Sequence, residues 1–167
     1  MTGNPERRPG VETEETQLAS AEASILDAVG FAEGRTGAPD ALKRLRIALN
    51  RLVLDSFTIE DVARALGVST GWIRRRLSQN RTLYGVKGRH GWRIPRFQFS
   101  SACTLVRGIA GVIPHVRHDA HPVAVKIWFT TPDQDLVVGD DDERVTPRAW
   151  LSSGRSVEIA AELANEI

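Results

Sequence analysis

The spacing of three residues constrains the chain most: Ala63, then Gly67 four positions on, then Ile73 six further. Thr58 is placed to cap a helix whose third position is Asp61, and Ile59, Val62, Ala63 and Leu66 then fall on one face of it. Gly67 ends that helix, because the sharp turn that follows needs a residue in the left-handed conformation. Val68 anchors the turn in the core, Ser69 caps a second helix, and Ile73 and Leu77 lie one turn apart on its buried side. Two helices must approach closely at the alanine, and this order of residue types is the arrangement of a helix-turn-helix.

The second helix then turns Ser69, Thr70, Gly71, Arg74, Arg75 and Ser78 outward. A helix about 10 Å across fits a DNA major groove. Small residues at its start let the backbone come near, while an arginine one turn on reaches guanine O6 and N7. Next, LYGVKGRHGWRIP reads as a β-hairpin. Tyr84 and Val86 belong to one strand, a glycine-rich turn runs from Gly88 to Gly91, and Trp92 and Ile94 alternate with Arg93 on the other strand, which Pro95 stops. Lys87, Arg89, His90 and Arg93 are expected at or near the tip, where they can follow phosphates or enter a minor groove.

Charge distribution supports the same reading. Residues 1–61 hold 7 Lys/Arg against 11 Asp/Glu, residues 62–118 hold 11 against 0, and residues 119–167 hold 4 against 10. Solubility alone favours mixed signs. A 57-residue stretch without a carboxylate suits a polyanion, since each cation beside a phosphate releases condensed counterions.

LGVSTGWIRRRL followed by LYGVKGRHGWRIPRFQF resembles the winged helix-turn-helix of the excisionase and MerR-like DNA-binding families over about 40 residues. That resemblance places Thr70, Arg74 and Arg75 on the base-reading side of the recognition helix, and Lys87, Arg89 and Arg93 in the wing. Arg76 departs from it, standing where an apolar residue often closes the helix pair, with Leu77 as its substitute. Trp72 is read as capping the core beside the wing, with a phosphate or sugar contact as the other option.

From about His121 the pattern becomes that of a separate helical module. Pro122 suits the first turn of a helix with Val125, Trp128 and Phe129, Thr146 and Pro147 form a cap and first-turn pair, and Ser156 caps a last helix. The stripe of that helix is Val157, Ala160, Leu163 and Ile167, and residues 139–143 make an acidic loop before it. WFTTPDQDLVV, VTPRAWLSSG and SVEIAAELANEI together are similar to the C-terminal toxin-binding domain of Xre/ParS-type antitoxins. The resemblance implies a protein that neutralises a toxin, typically of the RES-domain class, and represses its own promoter.

The remaining segments complete the expected organisation. Residues 1–16 read as a disordered tail and 17–55 as N-terminal helices, one with Leu18, Ala21, Ile25 and Val29 and one with Leu42, Leu45, Leu49 and Leu52. The latter stripe is expected to pack on the next domain, with a short homodimer seam as the other option. The DNA-binding domain spans 56–100, a connector 101–120, and the interaction domain 121–167. Cys103, the only cysteine, is expected as a small buried apolar residue. His115, His118 and His121 recur at three-residue spacing beside Asp119 but straddle Pro114 and Pro122, so no metal is expected. With no phosphate loop, nucleophile elbow or paired zinc ligands, neither enzymatic activity nor a cofactor is expected. No apolar span reaches membrane length and the N-terminus lacks a signal-peptide core, which makes a cytoplasmic protein the expectation. The fold expected is thus mainly α with a small β-hairpin. The expected function is sequence-specific binding of double-stranded DNA, in an autoregulating antitoxin, or alternatively in a phage-type excisionase or a stand-alone transcriptional regulator.

Overall fold

The computed structural model describes residues 38–79, 81–139 and 142–167. The tail over 1–16 and the first N-terminal helix lie outside them. Contacts divide the chain into Met1–Arg44 and Leu45–Ile167, and every element after the first turns of helix α1 belongs to the second unit.

Helix α1 (Ala38–Leu54) has Asp40 in its first turn and Arg51 in its last, each opposing the nearer partial charge of the helix dipole. Its leucines are unequal: Leu52 is buried, Leu45 and Leu49 are half-buried, and Leu42 is exposed. The hydroxyl of Ser56 donates to the Leu52 carbonyl at 2.6 Å and closes the end of the helix.

The two helices that follow end where their caps put them. Thr58 starts α2 (Ile59–Leu66) with a capping box, its hydroxyl accepting from Asp61 N at 3.0 Å while the Asp61 carboxylate accepts from Thr58 N at 3.2 Å. Gly67, at φ +66°, stops it in the left-handed conformation. Ser69 caps α3 (Thr70–Ser78) by accepting from Trp72 N at 3.2 Å. Ile59, Val62 and Ala63 of α2 and Ile73 and Leu77 of α3 are buried together with Leu83, Ile94 and Phe99.

Strands β1 (Val86–Gly88) and β2 (Gly91–Arg93) pair antiparallel in the register Val86↔Arg93, Lys87↔Trp92 and Gly88↔Gly91, so Arg89 and His90 form a two-residue loop. Tyr84 and Ile94 lie outside these strands. Ile94 instead exchanges backbone hydrogen bonds with Phe57 at 2.8 and 2.9 Å, which ties β2 to the segment entering α2.

A second core gathers Phe97, Val106, Ile109, Val112, Ile113, Val116, Val125, Phe129, Leu136, Trp150, Leu151, Ala160 and Ala164. It is built from α4 (Ile109–Val112), a single 3-10 turn (Ile113–His115), α5 (Pro122–Thr130), α6 (Pro147–Ser152) and α7 (Val157–Ala164). A small hairpin of β3 (Val137–Val138) and β4 (Glu143–Arg144) is added to these helices. Asp140 and Asp141 of the acidic loop lie outside the described residues.

Two expectations are corrected here. Residues 101–120 are no simple connector, because Val106, Ile109, Val112, Ile113 and Val116 are core residues of the C-terminal helices. Glycine at 108 and 111 reflects close packing there, not linker flexibility: a Cβ on Gly108 would meet Val157 Cγ2 at 2.6 Å and one on Gly111 would meet Val157 Cγ1 at 2.7 Å. Cys103 is exposed, at φ +57° in the turn between the bridged residues Phe99 and Leu105. Ala160 of α7 is buried, and Val157, Leu163 and, beyond the helix, Ile167 are half-buried against the same core.

Candidate nucleic-acid interface

Helix α3 presents one side to solvent because Ile73 and Leu77 hold the opposite side in the core. Ser69, Gly71, Arg74, Arg75 and Ser78 are exposed, and Thr70 is half-buried. Several of these side chains already have work within the fold. The Ser69 hydroxyl is the cap acceptor, and the Ser78 hydroxyl donates to the Arg74 carbonyl at 2.8 Å. Arg74 donates to Thr70 Oγ1 at 3.4 Å and stands 3.8 Å from Glu60, a solvent-exposed pair that contributes little. The Arg75 side chain makes no hydrogen bond or ion pair among the described residues. Gly71 has nothing but Ser69 Oγ, at 3.9 Å, within reach of an added Cβ. No neighbour in the fold requires glycine there, although glycine weakens a helix.

At the hairpin, Arg89 and His90 fill the exposed loop and Lys87 is exposed on β1. Arg93 differs from them. It is half-buried, with its stem 3.7 Å from where a Cβ on Gly88 would be, so it lies back along the hairpin. The hairpin itself is held by Gly85: a Cβ there would meet Leu77 Cδ2 at 2.6 Å and Trp92 Cε3 at 2.9 Å. Trp92 thus packs over the end of α3, which couples loop and helix. Sequence reasoning missed Gly85, because its need arises from two side chains, Leu77 eight positions before it and Trp92 seven after.

The carboxylate-free stretch is not uniformly available for a ligand. Arg76 lies over the Trp72 ring, 4.1 Å from its centroid, and donates to Thr82 Oγ1 at 3.1 Å. That contact explains an arginine where an apolar residue is usual: its guanidinium covers Trp72, and Leu77 fills the core. Arg96 donates to the Asp55 carbonyl at 2.7 Å and stacks on Phe57, while Arg81 donates to the Val116 carbonyl at 3.2 Å and to His118 Nε2 at 2.8 Å. Arg96 and Arg81 join segments distant in sequence, whereas Arg76 acts on its own helix and the turn after it. Beside the interface, hydrogen bonds from Thr58 hold the Asp61 carboxyl below the usual carboxylate range, with the Arg64 charge adding to the effect, so the cap is ionised at neutral pH.

Of the three histidines, His115 and His118 are exposed and His121 caps α5 by accepting from Val123 N at 3.2 Å. No group of three or more His, Cys, Asp or Glu suited to a metal occurs among the described residues. No helix among them is long and apolar enough to cross a membrane.

No protein-family profile and no curated protein matches the chain. Among solved structures it is similar to one titled "NMR structure of Rv2175c", with a TM-score of 0.45 and 24% identity, over 65% of this chain and 80% of that one. A likeness at this level supports no conclusion about function.

Proposed function

We propose that the protein binds double-stranded DNA sequence-specifically, with α2, the Gly67 turn and α3 as a helix-turn-helix and the β1–β2 hairpin as its wing. One observation carries this reading: the exposed side of α3 and the loop Arg89–His90 lie in a stretch of eleven cations and no carboxylate, packed together through Gly85 and Trp92. Arg75 reads a base edge in the major groove, with Arg74 beside it once its exposed contact to Glu60 yields. Arg89, His90 and Lys87 follow the flanking phosphates. Selection from a random duplex pool tests this reading. It predicts enrichment of a short motif, and an affinity for it that falls steeply with salt. Failure to enrich any motif, with weak binding insensitive to salt, removes it.

The biological setting we propose is an autoregulating, cytoplasmic antitoxin, on the similarity of the segments from Trp128, Val145 and Ser156 to antitoxin toxin-binding domains. Because residues 106–116 belong to the core of those helices, the partner-binding part begins near residue 105. Co-expression with the product of the adjacent gene is the test. A protein that neither co-purifies with that product nor relieves its toxicity is not its antitoxin, and an excisionase or stand-alone regulator then remains.

A further inference from the structure

Beneath the hairpin, on the side of Trp92, lies an open cleft of about 540 Å³ that shares only Lys87 with the DNA reading. Five residues in its lining carry or can carry positive charge: Arg81, Lys87, Arg117, His118 and His121. No Asp or Glu is among its lining residues. Asp119 pairs with Arg117 at 2.7 Å from outside the lining, which offsets one of the charges and leaves the others. The floor is apolar, from the fully buried Leu83 and Ile113, and the Trp92 ring stands at the wall where its packing on Gly85 holds it.

The two histidines face this space with defined tautomers. A guanidinium can only donate, so the 2.8 Å contact from Arg81 makes His118 Nε2 an acceptor and leaves the ring proton on Nδ1. His121 Nδ1 accepts from Val123 N, so its neutral ring carries the proton on Nε2. His118 thus offers an Nδ1–H donor. Donors and cations in a concave apolar setting suit a ligand that is both anionic and partly apolar. The volume falls within the range of roughly 300–1,000 Å³ found for sites of small organic ligands. A convex DNA duplex cannot be enclosed by it.

The geometry points to a binding site for a small phosphorylated aromatic metabolite of nucleotide size in the cleft between Trp92 and the Arg117–His121 segment. Its phosphates meet His118, Lys87 and Arg117, whose solvent-exposed pairing with Asp119 they displace, and its ring lies against Trp92. The inference does not depend on the DNA-binding role, since such a ligand binds without any duplex present.

Calorimetric titration of the full chain with ATP tests it, with tripolyphosphate, adenosine and a single-stranded oligothymidylate as comparisons. Saturable binding of one ATP is expected, about tenfold tighter than either tripolyphosphate or adenosine, because each of those lacks half of the recognition. Arg117→Gln and His118→Gln should each weaken ATP binding about tenfold while leaving the thermal melt in place, since both side chains are exposed. In the unaltered protein, ATP should also shift the backbone amide resonances of Gly85 and Ala120, a readout that does not depend on how any variant folds. Absence of those shifts, or an ATP affinity in both variants unchanged from that of the unaltered protein, overturns the inference. Tighter binding of the oligothymidylate, weakened by the same two substitutions, overturns it as well, by making the cleft a track for a nucleic-acid strand.

Discussion

The side chain of Gln98 pairs with the backbone of Tyr84 as a neighbouring strand would: its Oε1 accepts from Tyr84 N at 2.6 Å and its Nε2 donates to Tyr84 O at 2.8 Å. Gln98 is fully buried, and its amide also donates to the Pro95 carbonyl at 3.3 Å. One side chain thereby satisfies the stretch leading into β1, where no strand partner exists. Replacing it with leucine strands both backbone groups of Tyr84, so Gln98→Leu should cost about 2–4 kcal/mol. Denaturant unfolding measures this, and a cost below that of an ordinary surface substitution would show that water replaces the amide.

Tyr84 is the only tyrosine, which makes its ionisation directly visible by absorbance. Burial pushes its hydroxyl up to about 12, with the Arg81 charge opposing the shift in part. A folded-state value above the unfolded one of about 10 means that the neutral phenol is favoured by folding. The resulting stability is fully present below pH 10 and is lost as pH rises from 10 towards 12. Spectrophotometric titration of the native protein should therefore show no phenolate below pH 10, and a midpoint near 10 would place the ring in water.

Base reading should rest more on Arg75 than on Arg74, whose guanidinium already contacts Thr70 and Glu60. Arg75→Ala is expected to reduce specific binding by about 1–3 kcal/mol and to relax discrimination at one base pair. Affinities for single-base variants of the selected site measure it. An unchanged preference in both Arg74→Ala and Arg75→Ala would take α3 out of base reading.

The wing should divide in the same way. Arg89→Ala weakens binding to all sequences alike and flattens the slope of log K against log salt by about 1. Arg93→Ala, whose stem lies back on Gly88, changes the slope less and lowers stability slightly. Equal slopes for Arg89→Ala and the unaltered protein, with altered specificity, would make the loop a base reader.

Three glycines should separate packing from function. Gly71→Ala meets open space and should stabilise α3 by about 0.5–1 kcal/mol, yet weaken DNA binding by holding the helix away from the duplex. Gly108→Ala, at φ +78° and against Val157, and Gly111→Ala, against the same side chain, should destabilise the C-terminal helices. Thermal melts and binding measured on the same three proteins decide the matter: a Gly71→Ala protein that is more stable and binds equally well would mean that nothing approaches α3 there.

The sequence by itself determined what local rules govern. Thr58, Asp61, Gly67 and Ser69 cap and stop α2 and α3 where those residue types imply, because a cap acceptor or a left-handed backbone acts within four residues of chain. The outward placement of Arg74 and Arg75 follows from helical periodicity, and so does the burial of Ile73 and Leu77. Only the tertiary structure decided which cations belong to the fold. Arg76, Arg81 and Arg96 are chemically indistinguishable from Arg75 in the sequence, and differ because Trp72, His118, Val116, Asp55 and Phe57 happen to meet them. The same holds for residues 101–120, whose short apolar runs give no clear period yet fill the core beneath α7, and for Gly108 and Gly111, where a flexible linker and a site of close packing look alike until Val157 is in place. Apart from Arg76 over Trp72, which share one helix, these contacts join residues dozens of positions apart, and their energy depends on which surfaces the completed fold brings within about 4 Å of each other, a relation that no local pattern encodes.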